Sequence, residues 1–153
     1  MTIAISEPIE ELLLELASRL KIEYWFNETP TFAIMSWLRH RGLCVYCDRS
    51  LVATVEALRT SNCDHLLPFC RYPMLDSDTL NRVPACRYCN QLKRSWDPNY
   101  EPRVWDPSMT PLSVEAQREL INRTREYLHR RRDEDNEKFT AMLPKWDAAL
   151  RSL

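Results

Sequence analysis

Apolar residues fall at Ile9, Leu12, Leu13, Leu16 and Leu20, a spacing that puts them on one face of an amphipathic helix over about residues 7–24. Ser6 stands where an N-cap belongs, and Pro8 falls in the first turn, where its missing N–H costs nothing. A second helix is expected from Thr31 to about Arg41, with Ile34, Trp37 and Leu38 among its apolar positions. Gly42, the chain's one glycine, sits where a left-handed residue closes a helix. The pattern then shortens, with extended candidates around residues 51–55 and 62–67, a turn-rich stretch at 73–78, and a helix from near Cys86 through Lys93. From Ser113 onward, Val114, Gln117, Leu120, Ile121, Thr124, Tyr127 and Leu128 mark one face of a long helix, and Arg118, Arg123, Arg125 and Arg130 the other. A charge-dense break is expected at residues 133–138. Beyond it comes a last helical piece bearing Phe139, Met142, Leu143, Trp146 and Leu150, which Pro144 should kink or interrupt.

These elements divide the 153 residues into an N-terminal helical segment (1–42), a central core (43–98) and a C-terminal helical extension (99–153). A hydrophobic fraction of 44% is ordinary for a globular chain. No apolar run approaches the ~20 residues that span a bilayer, and no basic segment with an apolar core opens the chain, so a cytoplasmic protein is expected. A net charge of −1 does not announce a nucleic-acid partner, but distribution alters that picture. Arg82, Arg87, Lys93, Arg94 and Arg103 gather around the second of two cysteine pairs, while Glu7, Glu10, Glu11 and Glu15 make the first helix acidic.

The candidate chemistry starts from those pairs, Cys44-Val45-Tyr46-Cys47 and Cys86-Arg87-Tyr88-Cys89. Four thiolates are the complement of one closed, tetrahedral structural zinc, and the absence of an export signal favours reduced thiolates over disulfides. The two remaining cysteines, Cys63 and Cys70, read as small buried hydrophobes. Reactive chemistry must then lie between the pairs. Asp64 offers a hard oxygen ligand, His65 a base near neutrality, and Asn90 an amide oxygen directly after the last zinc cysteine.

Residues 43–98 resemble the HNH endonuclease family. The resemblance is carried by both C-x-x-C pairs, by Asp64-His65-Leu66-Leu67-Pro68 between them, by Asn81-Arg82-Val83-Pro84-Ala85-Cys86 leading into the second pair, and by Cys89-Asn90-Gln91-Leu92-Lys93. It implies an α+β fold in which a small ββα-metal core, stapled by a four-cysteine zinc site, is flanked by N-terminal and C-terminal helices. It also implies a catalytic Mg²⁺ or Mn²⁺ on Asp64 and Asn90, with His65 taking the proton from the attacking water. Asn81 would hold the loop that carries His65. Lys93, Arg94 and Arg87 are the phosphate-contact candidates. Asn90 stands where the strict letters of the motif put a histidine, and the stretch between His65 and Asn81 has none of the usual glycines, leaving Pro73 and its Asp and Ser neighbours to make the turn.

The activity so implied is metal-dependent hydrolysis of DNA phosphodiester bonds, RNA remaining open as substrate. Restriction and phage defence are among the settings in which small proteins of this family serve. No separate specificity module is visible, which points to a partner subunit for targeting. The competing class is a non-catalytic zinc ribbon that binds nucleic acid or a partner protein, since four cysteines need no Asp-His segment to hold zinc. Trp25, Trp37, Trp96, Trp105 and Trp146 are expected to seal helices onto the core, and His40 and His129 to be a helix-end and a surface histidine.

Overall fold

The computed structural model describes residues 7–23, 29–109 and 111–152; Ser6, Trp25 and the side chain of Ile9 lie outside what is described. The described residues form a mixed α/β fold of five helices and one two-stranded sheet, held near a cluster of four cysteines. No helix among them is long and apolar enough to cross a membrane.

Helices α1 (Glu7–Glu23) and α2 (Thr31–Arg39) form where the apolar spacing puts them and pack on each other. The buried stripe of α1 centres on Leu13 and Ala17; Leu12, expected on that face, is half exposed. Helix α2 buries Ala33, Ile34 and Ser36, and the Ser36 hydroxyl donates to the Arg82 carbonyl at 3.2 Å, docking the helical pair on the sheet. Two left-handed residues, Arg41 and Gly42, then reverse the chain, and the Gly42 N–H donates to the Trp37 carbonyl at 2.7 Å. A Cβ on Gly42 would stand 2.9 Å from a Val52 methyl, so positive φ and close approach both ask for glycine there.

The stretch at 51–55 is not extended. Thr54 caps a short helix, α3 (Val55–Arg59), by accepting from the Ala57 N–H at 3.0 Å. Its β-branched residues are exposed, so no sheet neighbour rewards extension and the cap decides. Strand β1 (Asn62–His65) pairs antiparallel with β2 (Arg82–Ala85), with Asp64 opposite Val83 and His65 opposite Arg82. Single 3₁₀ turns at Pro73–Leu75 and Thr79–Asn81 compact the connection without glycine, and Leu75 anchors it in the core. Helix α4 (Arg87–Lys93) follows β2 directly, with Cys86 as its N-cap.

Helix α5 (Val114–Arg151) begins at Ser113, whose hydroxyl accepts from the Ala116 N–H at 3.1 Å. Its first half buries Ala116, Gln117, Leu120, Thr124 and Leu128 against the core of Leu51, Leu66, Leu67, Val83 and Trp105. The break expected at 133–138 does not occur, and Pro144 lies inside a continuous helix. Glutamate and lysine favour helix, and pairs one turn apart, Arg131 with Glu134 at 2.6 Å and His129 with Asp133 at 3.2 Å, carry it through the charged stretch. From Asp133 onward every described residue is exposed. Trp146, at 58% exposure, therefore seals nothing, whereas Trp105 is buried, Trp37 packs against the core and Trp96 stacks on Tyr127 at 4.2 Å.

Candidate metal and catalytic site

Two tight turns bring the four paired cysteines together. In the first, the Cys44 N–H donates to the Arg49 carbonyl and the Asp48 N–H to the Cys44 carbonyl, both at 2.9 Å, with Asp48 left-handed. In the second, Cys86 opens α4 and accepts from the Cys89 N–H at 3.5 Å. The Sγ atoms of Cys44, Cys47, Cys86 and Cys89 all lie within 4.8 Å of one another, and those of Cys47 and Cys86 are 3.8 Å apart. A tetrahedron with ~2.3 Å metal–sulfur bonds has edges of ~3.8 Å, so the cluster has the size that a zinc ion asks for. All six cysteines are free thiols.

The sulfurs alone cannot all carry charge. Hydrogen bonding within the cluster lowers Cys47 strongly and brings Cys86 to about 6, while it pushes Cys44 and Cys89 well up. A divalent cation removes that conflict by supplying the missing positive charge. Part of the compensation already comes from α5, where an Arg132 nitrogen donates to Cys89 Sγ at 2.7 Å. Burial works against the Arg132 charge, but the facing Cys89 and Cys47 sulfurs outweigh it and raise its pKa.

Asp64 lies beside this centre, buried on β1. Its Oδ2 accepts from the Tyr46 hydroxyl at 2.6 Å and faces Lys93 Nζ at 3.2 Å. Burial, followed by the Asp64 charge, drives the Tyr46 pKa well up, so Tyr46 stays a donor. Lys93 Nζ also donates to the His65 carbonyl at 2.8 Å and is 1% exposed. Lys93, expected at a phosphate, is turned inward in this arrangement, onto Asp64 and the His65 carbonyl. Arg87 and Arg94 are exposed, and Asn90 is half-buried one turn before Lys93 on the same helix face.

His65 is 26% exposed. Its Nε2 stands 3.3 Å from Asp76 Oδ1, an oxygen that also receives Arg82, and its ring lies 5.8 Å from that of Phe69. Asn81 is fully buried and clasps the backbone just past His65: its Oδ1 accepts from the Leu67 N–H at 2.7 Å and its Nδ2 donates to the Leu67 carbonyl at 3.2 Å. Cys63 is half-buried, its thiol pushed up to about 11 chiefly by burial. Cys70 is exposed, contrary to the reading of a buried hydrophobe, because it lies in the turn after Pro68 rather than on a strand.

Sequence reasoning missed three participants. Tyr46 occupied a spacer position between two ligands, Asp76 read as a turn residue, and Arg132 was one of three consecutive arginines with nothing to mark it. A polar residue inside a knuckle was the only available signal for Tyr46. No family model, curated protein or solved structure matches the chain.

Proposed function

We propose that this chain is a metal-dependent endonuclease of the HNH type that hydrolyses DNA phosphodiester bonds. The observation that carries the reading is one contact: Lys93 sits on Asp64, so the α4 face bearing Asn90 and Lys93 meets the strand bearing Asp64 and His65, next to four clustered cysteines. Two paired strands followed directly by a helix that meets the first of them support this reading. The cysteines would hold a structural Zn²⁺ whose four positions are all taken by protein, leaving it no catalytic role. Asp64 and Asn90 supply hard oxygen donors suited to Mg²⁺ or Mn²⁺, which would act there as a Lewis acid on the scissile phosphate and the departing oxygen.

His65 supplies the base. As the water oxygen bonds to phosphorus and the bond from phosphorus to the 3′ oxygen breaks, the proton of the water passes to the imidazole. The 3′ oxygen takes a proton from solvent, leaving 5′-phosphate and 3′-hydroxyl ends. Asp76 faces one ring nitrogen, Nε2, which leaves Nδ1 to take the proton in this reading, and Asn81 fixes the backbone after His65. Exposed Arg87 and Arg94 are the phosphate contacts in this reading. Targeting by a partner subunit, in a cytoplasmic restriction or defence system, is part of the same proposal.

A non-catalytic zinc module that binds nucleic acid or protein is the second reading. It is favoured by the closure of Asp64 Oδ2 by Tyr46 and Lys93, which is also what a purely structural ion pair would look like. Cleavage decides between them. Purified protein should nick supercoiled plasmid with Mg²⁺ or Mn²⁺ and not with chelator, and His65→Ala should lower the rate by ~10²–10⁴-fold while zinc content and fold persist. A panel of single- and double-stranded DNA and RNA identifies the substrate. Cleavage by His65→Ala at the wild-type rate would end the claim that His65 is the base.

A further inference from the structure

The Lys93–Asp64 pair is more than a core ion pair, because of where its atoms lie. Lys93 is among the most fully buried side chains of the protein, and Asp64, at 9% exposure, is the one carboxylate it faces within ion-pair distance among the described residues. A buried ammonium without a counter-charge is strongly disfavoured, and Asp64 Oδ2, 3.2 Å away, supplies that counter-charge. Its second contact, the His65 carbonyl, ties it to the backbone of the proposed base. Tyr46 completes the set from inside the first cysteine pair. The ammonium thus stands against the same carboxylate that a divalent cation would use in the proposed reading. Two positive charges cannot share that carboxylate without mutual repulsion.

We propose that Lys93 is an internal competitor for the catalytic cation: its ammonium, held on the Asp64 carboxylate, opposes the binding of Mg²⁺ or Mn²⁺ there. This rests on the reading of Asp64 as a cation ligand. The competition has a direction. Affinity for the free cation is lower than the oxygen ligands alone would give, and an added anion able to accept the released ammonium, such as a substrate phosphate, raises it. The cation and the nucleic acid would then bind with positive coupling, the ammonium moving from Asp64 to phosphate as the cation arrives.

The test measures Mn²⁺ binding to the zinc-loaded protein by calorimetry and electron paramagnetic resonance, without reference to cleavage. Lys93→Met keeps the length of the side chain and removes the charge. Lys93→Gln keeps a donor toward the His65 carbonyl, and serves if the methionine variant does not fold. Either variant should bind Mn²⁺ about tenfold more tightly or better, with the gain lost when Asp64→Ala is added. A short single-stranded oligonucleotide should tighten Mn²⁺ binding in wild type and do so less in the variants. Affinity in the lysine variants equal to or weaker than wild type, with Asp64-dependent binding intact in wild type, overturns the competition and leaves the cation site standing. Absence of Asp64-dependent Mn²⁺ binding in every protein overturns both.

Discussion

At the scale of single residues, the four-cysteine cluster was legible because each cysteine has a partner three residues away, whereas contacts made only by folding were not. Asn81, expected to hold a loop, clasps both polar groups of the Leu67 backbone with its amide from a fully buried position. Lys93 makes contacts of the second kind, since charge pattern cannot tell an ammonium facing solvent from one that bridges Asp64 and the His65 carbonyl. His40 carries a consequence for pH. Burial, then the charges of Arg39 and Arg125, lowers its pKa from 6.5 to about 4, so the folded protein holds it neutral where the unfolded chain would protonate. The unfolded state binds the extra proton between those two values. Its contribution is therefore complete above about pH 6.5 and declines as pH falls toward 4, by up to ~3 kcal/mol. Urea midpoints of wild type and His40→Gln should agree in their pH dependence above neutrality and diverge between pH 6.5 and 4.5, the wild type losing more. Parallel curves across that range would mean that His40 is not held neutral.

At the scale of elements, caps and cysteine pairs placed α2, α4 and the start of α5 closely, because each boundary rests on a local device: the left-handed pair at Arg41 and Gly42, the Cys86 N-cap, the Ser113 hydroxyl. The failures at 51–55 and 133–138 come from reading composition without context. In the first, exposure removed any reward for a strand; in the second, pairs one turn apart made a charged run good helix. What no pattern indicated is the strap that α5 lays across the cysteine centre. Arg125 donates to the Val45 carbonyl at 2.6 Å and pairs with Asp48 at 2.7 Å, while Arg132 reaches Cys89 Sγ. Helix and metal site should consequently support each other. With zinc bound as proposed, its removal by a strong chelator should unfold the segments that the two turns join, lost together in near-ultraviolet and far-ultraviolet circular dichroism. Arg132→Ala should keep the fold yet weaken zinc retention by ~10-fold or more, read by competition with a chromophoric chelator. Unchanged retention would leave the Arg132–Cys89 contact without energetic weight.

At the scale of the whole molecule, a core of two strands and the turns around them packs against α2, which carries α1, and against the first half of α5. The second half of α5 adds no buried residue to it. Residues 133–152 are exposed without exception, and Phe139, Met142, Leu143, Trp146 and Leu150 lie along one side of the helix at 38–58% exposure. Hydrophobic periodicity made this stretch look like any other amphipathic helix, since period tells which face is apolar but not whether anything covers it. Among the described residues, the last hydrogen bond from this helix to the body is that of the Tyr88 hydroxyl, which donates to Asp135 at 2.9 Å. A chain stopped after Lys138 keeps that contact, every buried residue, the four cysteines and Arg132, and loses only surface that water already covers. Its thermal unfolding should match that of the full chain within about 2 °C, a shift that corresponds to about 0.5–1 kcal/mol for a domain of this size. Zinc content and any plasmid nicking should be retained. In the full chain, an iodide-quenching titration should find Trp146 accessible and Trp105 protected, as Trp146→Phe would verify by removing the quenched fraction. A drop of many degrees on truncation, or a Trp146 shielded from iodide at low protein concentration, would mean that the apolar side of this helix is covered within the monomer.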